Sequence, residues 1–242
     1  MPDLLLFVFT IFAIALLYAS VGHGGASGYL AVMALFAVAP ELLRPTALTL
    51  NLVVSFIGTV AFYQAGYFRI RLFWPLALCS VPFAYIGGSV TVPDIVFRFL
   101  LAFALLVAVG RLFMSAASDF ELRKPGLILL LPSGAAIGLT SGLIGVGGGI
   151  FLTPLAIIMR WGSAKTAAAI SAPFIFLNSM AGLLGLRPSV ADFHPQFGWM
   201  LLAVIVAGFI GSRWGSRIAN SRQIRQALGI VLLFAAGKLM FH

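Results

Sequence analysis

Two long apolar stretches of this chain are each interrupted by a run dominated by glycine: Gly22-His23-Gly24-Gly25 between Leu4 and Ala39, and Gly145-Val146-Gly147-Gly148-Gly149 between Leu127 and Met159. A continuous helix of about 36 residues would be about 54 Å long at 1.5 Å per residue, far more than the roughly 30 Å hydrocarbon core of a bilayer. Each stretch must therefore fold back. Consecutive glycines, free of a Cβ, are where a helix comes undone. Broken apolar segments at matching places in two halves of a chain point to a transporter's substrate site, because half-helix ends in mid-membrane bind ions that lipid cannot. Glycines also let helices pack closely, but packing uses spaced glycines rather than consecutive ones.

The membrane setting follows from composition. Of 242 residues, 62% are hydrophobic and 9% charged, and mean hydropathy is +1.11, which no water-soluble core of this length needs. Short loops between the apolar segments leave no room for a soluble domain, so one integral membrane domain is expected. The net charge of +9 comes from 15 Lys and Arg against 6 Asp and Glu. The basic residues sit mainly at segment ends, as orientation signals and headgroup contacts do. No basic cluster has the density or aromatic interleaving of a nucleic-acid surface. Cys79 alone excludes an internal disulfide and a multi-cysteine metal site. The N-terminal apolar run has no basic residue before it, only Asp3, so residues 4–21 are read as retained rather than cleaved.

The chain repeats itself. Phe97 to Phe113 aligns with Ile224 to Met240 at a constant offset of 127, with Arg98/Arg225, Gly110/Gly237 and Arg111/Lys238 coinciding; the glycine breaks align at an offset of 123. Residues 1–118 and 119–242 form the two repeats. Each is a broken segment followed by three ordinary spans, about 46–65, 73–91 and 96–113, then about 166–186, 197–214 and 224–241. If each broken segment returns to the face it entered, one side collects Arg69, Arg71, Arg111, Arg123, Lys124, Arg160, Lys165, Arg213, Arg217, Arg222 and Arg225. The other side holds Arg44, Arg98, Arg187 and Lys238. Eleven against four is the bias of the positive-inside rule, so the rich face is cytoplasmic and both termini face outward. Three crossings per repeat invert the second half relative to the first and bring the glycine tips together near the midplane. The expected fold class is thus an all-α polytopic membrane protein of two inverted repeats, each a Gly-broken helical hairpin plus three transmembrane helices. It has eight to ten helical segments, depending on whether the hairpin arms fully span.

After each break a helix restarts, near Ala26-Ser27 and Ile150-Phe151. Its first amides, unpaired within the helix and at the positive end of the macrodipole, suit an anion. No carboxylate lies mid-membrane: Asp3, Glu41, Asp94, Asp119, Glu121 and Asp192 fall in loops or ends, which disfavours a carboxylate-based cation carrier. The expected substrate-binding residues are Gly22, His23, Gly24, Gly25, Ser27, Asn51, Gly145, Gly147, Gly148, Gly149, Ser171 and Asn178. Ser20, Tyr29, Ser55, Thr59, Thr140, Ser141, Thr153 and Ser179 lie where they also fit a polar ring. Hydroxyls and amides donate to an oxyanion without burying charge; equally, a small hydroxyl often bonds its own helix. His23 stands where the second repeat has Val146 and changes charge near neutral pH, which makes a substrate or proton role open to it. Arg44 and Lys165, after the two return arms, either draw anions into opposite vestibules or snorkel to the interface.

The motifs Ser20-Val21-Gly22-His23-Gly24-Gly25 and Gly142-Leu143-Ile144-Gly145-Val146-Gly147-Gly148-Gly149, the latter followed by Pro154 and Thr166 to Ser171, resemble the paired signatures of the TauE/SafE sulfite exporter family over essentially the whole chain. The resemblance implies movement of sulfite, sulfoacetate and related sulfur oxyanions or organosulfonates across a bacterial inner membrane. In place of the family's usual Thr-Ser step, this chain has Ile170-Ser171 and Leu50-Asn51.

The expected function is a secondary transporter of small anions, with lipid, a coupling proton or ion, and a homo-oligomeric partner left open; no cofactor and no nucleic acid are expected. An anion or water channel built on the same half-helices is the alternative. An intramembrane enzyme has little support, since no His-Glu-x-x-His, Gly-x-Ser-x-Gly or intramembrane aspartate pair occurs, and no P-loop is present to hydrolyse ATP.

Overall fold

The computed structural model describes residues 2–93, 95–97, 99–100, 102–103, 106 and 125–217. They form α1 (Pro2–Ser20), α2 (Ala26–Leu35), α3 (Pro40–Gln64), α4 (Ile70–Ser89), α5 (Leu127–Ile144), α6 (Gly149–Ile158), α7 (Ala164–Leu186) and α8 (Phe197–Arg217), with one 3₁₀ turn at Val190–Asp192. No strand occurs among the described residues. Helices α3, α4, α5, α7 and α8 are long and apolar enough to cross a membrane, so the protein is an all-α polytopic membrane protein. The described part of the segment expected at 96–113 is helical. The rest of it, the segment at 224–241 and the Arg98/Arg225, Gly110/Gly237 and Arg111/Lys238 pairs lie outside the described residues.

Helices α2 and α6 are ten residues each, about 15 Å long and so about half the hydrocarbon thickness. Glycine ends the helix before each of them and starts the next. In the first break the His23 amide donates to the Tyr18 carbonyl at 2.9 Å and Gly22 to Ala19 at 3.1 Å, a Schellman closure with Gly22 left-handed at φ 73°. In the second, Val146 and Gly145 both donate to Ser141, with Gly145 at φ 82°. Gly25 (φ 98°) and Gly148 (φ 82°) then stand as the N-caps of α2 and α6. The far ends of the short helices repeat the device. Ala37 (φ 55°) and Arg160 (φ 60°) follow them in the left-handed region, and Val38 and Trp161 donate back to Met33 and Ala156.

Side-chain size sets how the helices pack. Gly134, Gly138 and Gly142 on α5 lie against Leu76, Ser80 and Ala84 on α4, four residues at a time on both helices, so the two run parallel in direct backbone contact. Gly211 and Gly215 on α8 meet Leu16 and Ser20 on α1 in the same way. Such small-residue seams replace the hydrophobic drive that lipid removes. Helices α3 and α7 cross the other way: Leu48, Asn51 and Gly58 meet Gly182, Ser179 and Ala172, an antiparallel register. The main apolar cluster joins α1, α2, α3 and α8 and includes Phe97; a second joins α4, α5, α6 and α7.

Candidate functional site

The side chain of Asn51, fully buried on α3, lies between the two glycine turns. A Cβ on Gly24 would strike its Oδ1, and one on Gly147 would strike its Nδ2. Asn51 Oδ1 accepts a hydrogen bond from the Ala26 amide, the first residue of α2, at 3.1 Å. Its Nδ2 donates to Ser179 Oγ on α7 at 2.8 Å. One carboxamide thus satisfies the start of the first return helix, crosses to the opposite repeat and separates the two turns by little more than its own width. Burying it costs little because both its ends are bonded.

His23 is the next link. Its Cδ2 is 3.7 Å from where a side chain on Gly149 would begin, so the ring of the first turn rests against the second. Nδ1 is 2.9 Å from the Val21 carbonyl, which can only accept, so this nitrogen carries the proton. In the neutral ring Nε2 then accepts from Thr153 Oγ1 on α6 at 3.1 Å, and Thr153 accepts from Ser171 Oγ on α7 at 2.6 Å. A hydroxyl chain therefore joins the first turn to two elements of the second repeat.

Around the first turn, Tyr29 donates from its hydroxyl to the Gly24 carbonyl at 2.8 Å, and its ring underlies Gly25. Ser27 pairs with the Tyr18 hydroxyl at 2.9 Å. Around the second, Phe174 and Ile137 lie over Gly148, Ile175 over Gly149, and the Arg44 stem beside Gly145.

The structure brings Gly22, His23, Gly24, Gly25, Asn51, Gly147, Gly148, Gly149 and Ser171 into this neighbourhood, with Ser27 and Gly145 at its margins. Asn178 is placed differently. Its Oδ1 accepts from Ser80 Oγ on α4 at 2.6 Å and its Nδ2 donates to the Phe174 carbonyl, so it bonds α4 to α7 rather than either turn. Ser20, Ser55, Thr59 and Thr140 donate to carbonyls of their own helices. Arg44 is inside α3 rather than in a loop and only 9% exposed, while Lys165 is exposed against the Tyr67 ring and hydroxyl. Tyr18 and Ser80 carried no sequence signal that separates them from packing residues; only contact with Ser27 and Asn178 does. Glu41 and Asp192 lie in the first turn of α3 and in the α7–α8 loop.

The arrangement offers backbone amides, a carboxamide, hydroxyls and one imidazole, with the stem of the buried Arg44 beside Gly145. That donor set suits a small anion rather than a metal cation.

No solved structure matches the chain. A curated protein named "Probable membrane transporter protein y4hK", from Sinorhizobium fredii, is 38% identical over 240 residues, 95% of each chain. The family profile described as "Sulfite exporter TauE/SafE" matches residues 7–239. The chain therefore belongs to the TauE/SafE sulfite exporter family and is a membrane transporter.

Proposed function

We propose that the protein is a secondary transporter of small sulfur-containing oxyanions or organosulfonates of the sulfite kind, held near mid-membrane between its two glycine turns. The observation that carries this reading is the position of Asn51, whose carboxamide touches both turns and both repeats. A site made jointly by two repeats changes its exposure when one repeat rocks against the other, which is what alternating access needs. The division into inverted repeats, 1–118 and 119–242, is supported by the antiparallel register of α3 and α7 and by the parallel pairs α1 with α8 and α4 with α5. On this reading both termini face the periplasm of a bacterial inner membrane, and His23 is the group available to carry a coupling proton. Neither cofactor nor catalytic step is required.

The test is flux into proteoliposomes of purified protein, with sulfite, sulfate, thiosulfate and a small organosulfonate offered separately. Saturable uptake of a sulfur oxyanion with counterflow is expected. Flux that rises linearly with concentration and shows no counterflow would replace the carrier by a channel; no flux of any of the four would end the substrate assignment.

A further inference from the structure

We infer that the two glycine turns between which the anion is held have different roles: the second supplies its direct contacts, with the Ser141 hydroxyl as side-chain donor, while the first is a structural turn already satisfied by the protein. The inference deepens the proposed transport reading and rests on it.

The first turn has its polar groups answered from within. The Ala26 amide is bonded to Asn51 Oδ1, the Gly24 carbonyl to the Tyr29 hydroxyl, and the Tyr29 ring fills the space beneath Gly25. An anion arriving there would meet a carboxamide oxygen, an acceptor of its own sign of partial charge. Helix α6 starts without such a partner. Gly148 and Gly25 are both N-caps without a side-chain cap, but among the described residues no side chain accepts from the Gly149 amide as Asn51 does from that of Ala26. Ser171, which stands in the second repeat where Asn51 stands in the first, is bonded to the Thr153 hydroxyl instead. The repeat symmetry is broken at the group that would quench the second helix terminus.

What faces the second turn is donors. Asn51 presents Nδ2 towards Gly147, the opposite end of the carboxamide whose oxygen is fixed by the Ala26 amide. Ser179 Oγ is 2.9 Å from where a side chain on Gly147 would begin. The decisive observation is Ser141. It is fully buried, its Oγ has no hydrogen-bond partner, and its Cβ is 3.5 Å from the corresponding point on Gly148. A buried hydroxyl without a partner beside an uncapped helix N-terminus is a donor set lacking an acceptor. The chemistry it fits is a small oxyanion, with the helix field and one hydroxyl supplying the contacts. In this conformation Phe174 and Ile137 close over Gly148, so the seat is occluded, and displacement of the Phe174 ring opens it.

The experiment is sulfite binding to purified protein in detergent, by calorimetry, for wild type, Ser141→Ala, Ser141→Cys and Ser212→Ala. Ser212 supplies the control: its hydroxyl is also buried and unpartnered, but it lies at the α3–α8 contact beside Gly58, away from both turns. Ser141→Ala and Ser141→Cys are expected to weaken sulfite binding roughly tenfold or more with no loss of thermal stability, because each removes a donor the fold does not use. Ser212→Ala is expected to bind as wild type does. Wild-type-like affinity in both Ser141 variants, or equal weakening in Ser212→Ala, overturns the assignment to the second turn while leaving anion transport intact. A wild-type protein that binds no sulfite removes the transport reading and this inference with it.

Discussion

Arg44 donates from Nη2 to the carbonyl of Gly142 at 2.8 Å, tying the start of α3 to the last turn of α5 just before the second glycine break. The same nitrogen reaches the Gly87 and Gly88 carbonyls at 3.3 and 3.2 Å, and Nη1 reaches Val90 at 3.3 Å. Three elements thus converge on one guanidinium. The last carbonyls of a helix have no intrahelical partner and carry the negative end of its dipole, so a planar, multi-donor cation answers two helix ends together.

Removing that cation should unfold the α4–α5 corner before it affects anything else. Arg44→Ala leaves buried carbonyls of Gly87, Gly88 and Gly142 with one donor fewer each, and hydrogen bonds to a charged group are worth about 1.5–3 kcal/mol. Thermal unfolding in detergent should show a loss of roughly 2–4 kcal/mol. Arg44→Lys should recover only part of it, since an ammonium lacks the fork. Equal stability of wild type and Arg44→Ala would show that the carbonyls find other donors.

His194, in the loop between α7 and α8, gives a pH-dependent contribution whose sign is fixed by its surroundings. Burial holds its pKa below the usual 6.5. Its Nδ1 accepts from the Gln196 amide at 3.1 Å, its ring packs on Phe7 at 5.1 Å between centroids, and its amide donates to Thr46 Oγ1. The folded pKa is lower than the unfolded one, so between the two values the unfolded chain binds more protons. Stability therefore rises with pH through that window and is lost as pH falls below about 6.5. The unfolding temperature should drop from pH 7.5 to pH 5, and His194→Gln should flatten the drop. An unaltered slope in that variant would assign the effect to other groups.

The helix breaks were legible because a left-handed backbone selects glycine. The stops at Gly22 and Gly145 and the restart at Ala26 fall where the runs of glycine put them, and α6 begins one residue earlier than expected, at Gly149. Arg44 was not legible: its sequence neighbourhood, Glu41 to Pro45, reads as a loop, and only the carbonyls of α4 and α5, more than forty residues away, explain why it is buried in a helix. The same holds for Asn51 and Asn178. Both are carboxamides on the long helix that follows a glycine break, yet Ser179 and the Ala26 amide take one while Ser80 takes the other. Polar residues on membrane helices are sorted by partners, and partners lie outside the local pattern.

Orientation is open to chemical labelling. In a Cys79→Ser background, Val190→Cys, whose position is 91% exposed in the α7–α8 loop, should react with a membrane-impermeant maleimide on intact cells. Arg69→Cys, at the N-terminus of α4, should react only after permeabilisation. His194 and Thr46 join the α7–α8 loop to the start of α3, so those two segments share a face. Labelling of Arg69→Cys but not Val190→Cys on intact cells would reverse the topology derived from the eleven-to-four charge bias.

The chain from His23 through Thr153 to Ser171 couples the first turn to the second hairpin, and its loss should slow transport more than it loosens the fold. Thr153→Val keeps the shape of the side chain and removes the hydroxyl that bonds both His23 Nε2 at 3.1 Å and Ser171 Oγ at 2.6 Å. Two neutral hydrogen bonds at about 1 kcal/mol each bound the stability cost. If the chain holds the histidine ring against Gly149 during the exchange between states, sulfite uptake into proteoliposomes should fall roughly tenfold in maximal rate. Half-saturation should change little, and Thr153→Ser should restore uptake. His23→Ala, which removes the ring itself, should be at least as slow. Wild-type uptake by Thr153→Val would show that the hydroxyl chain only fills the space between the turns.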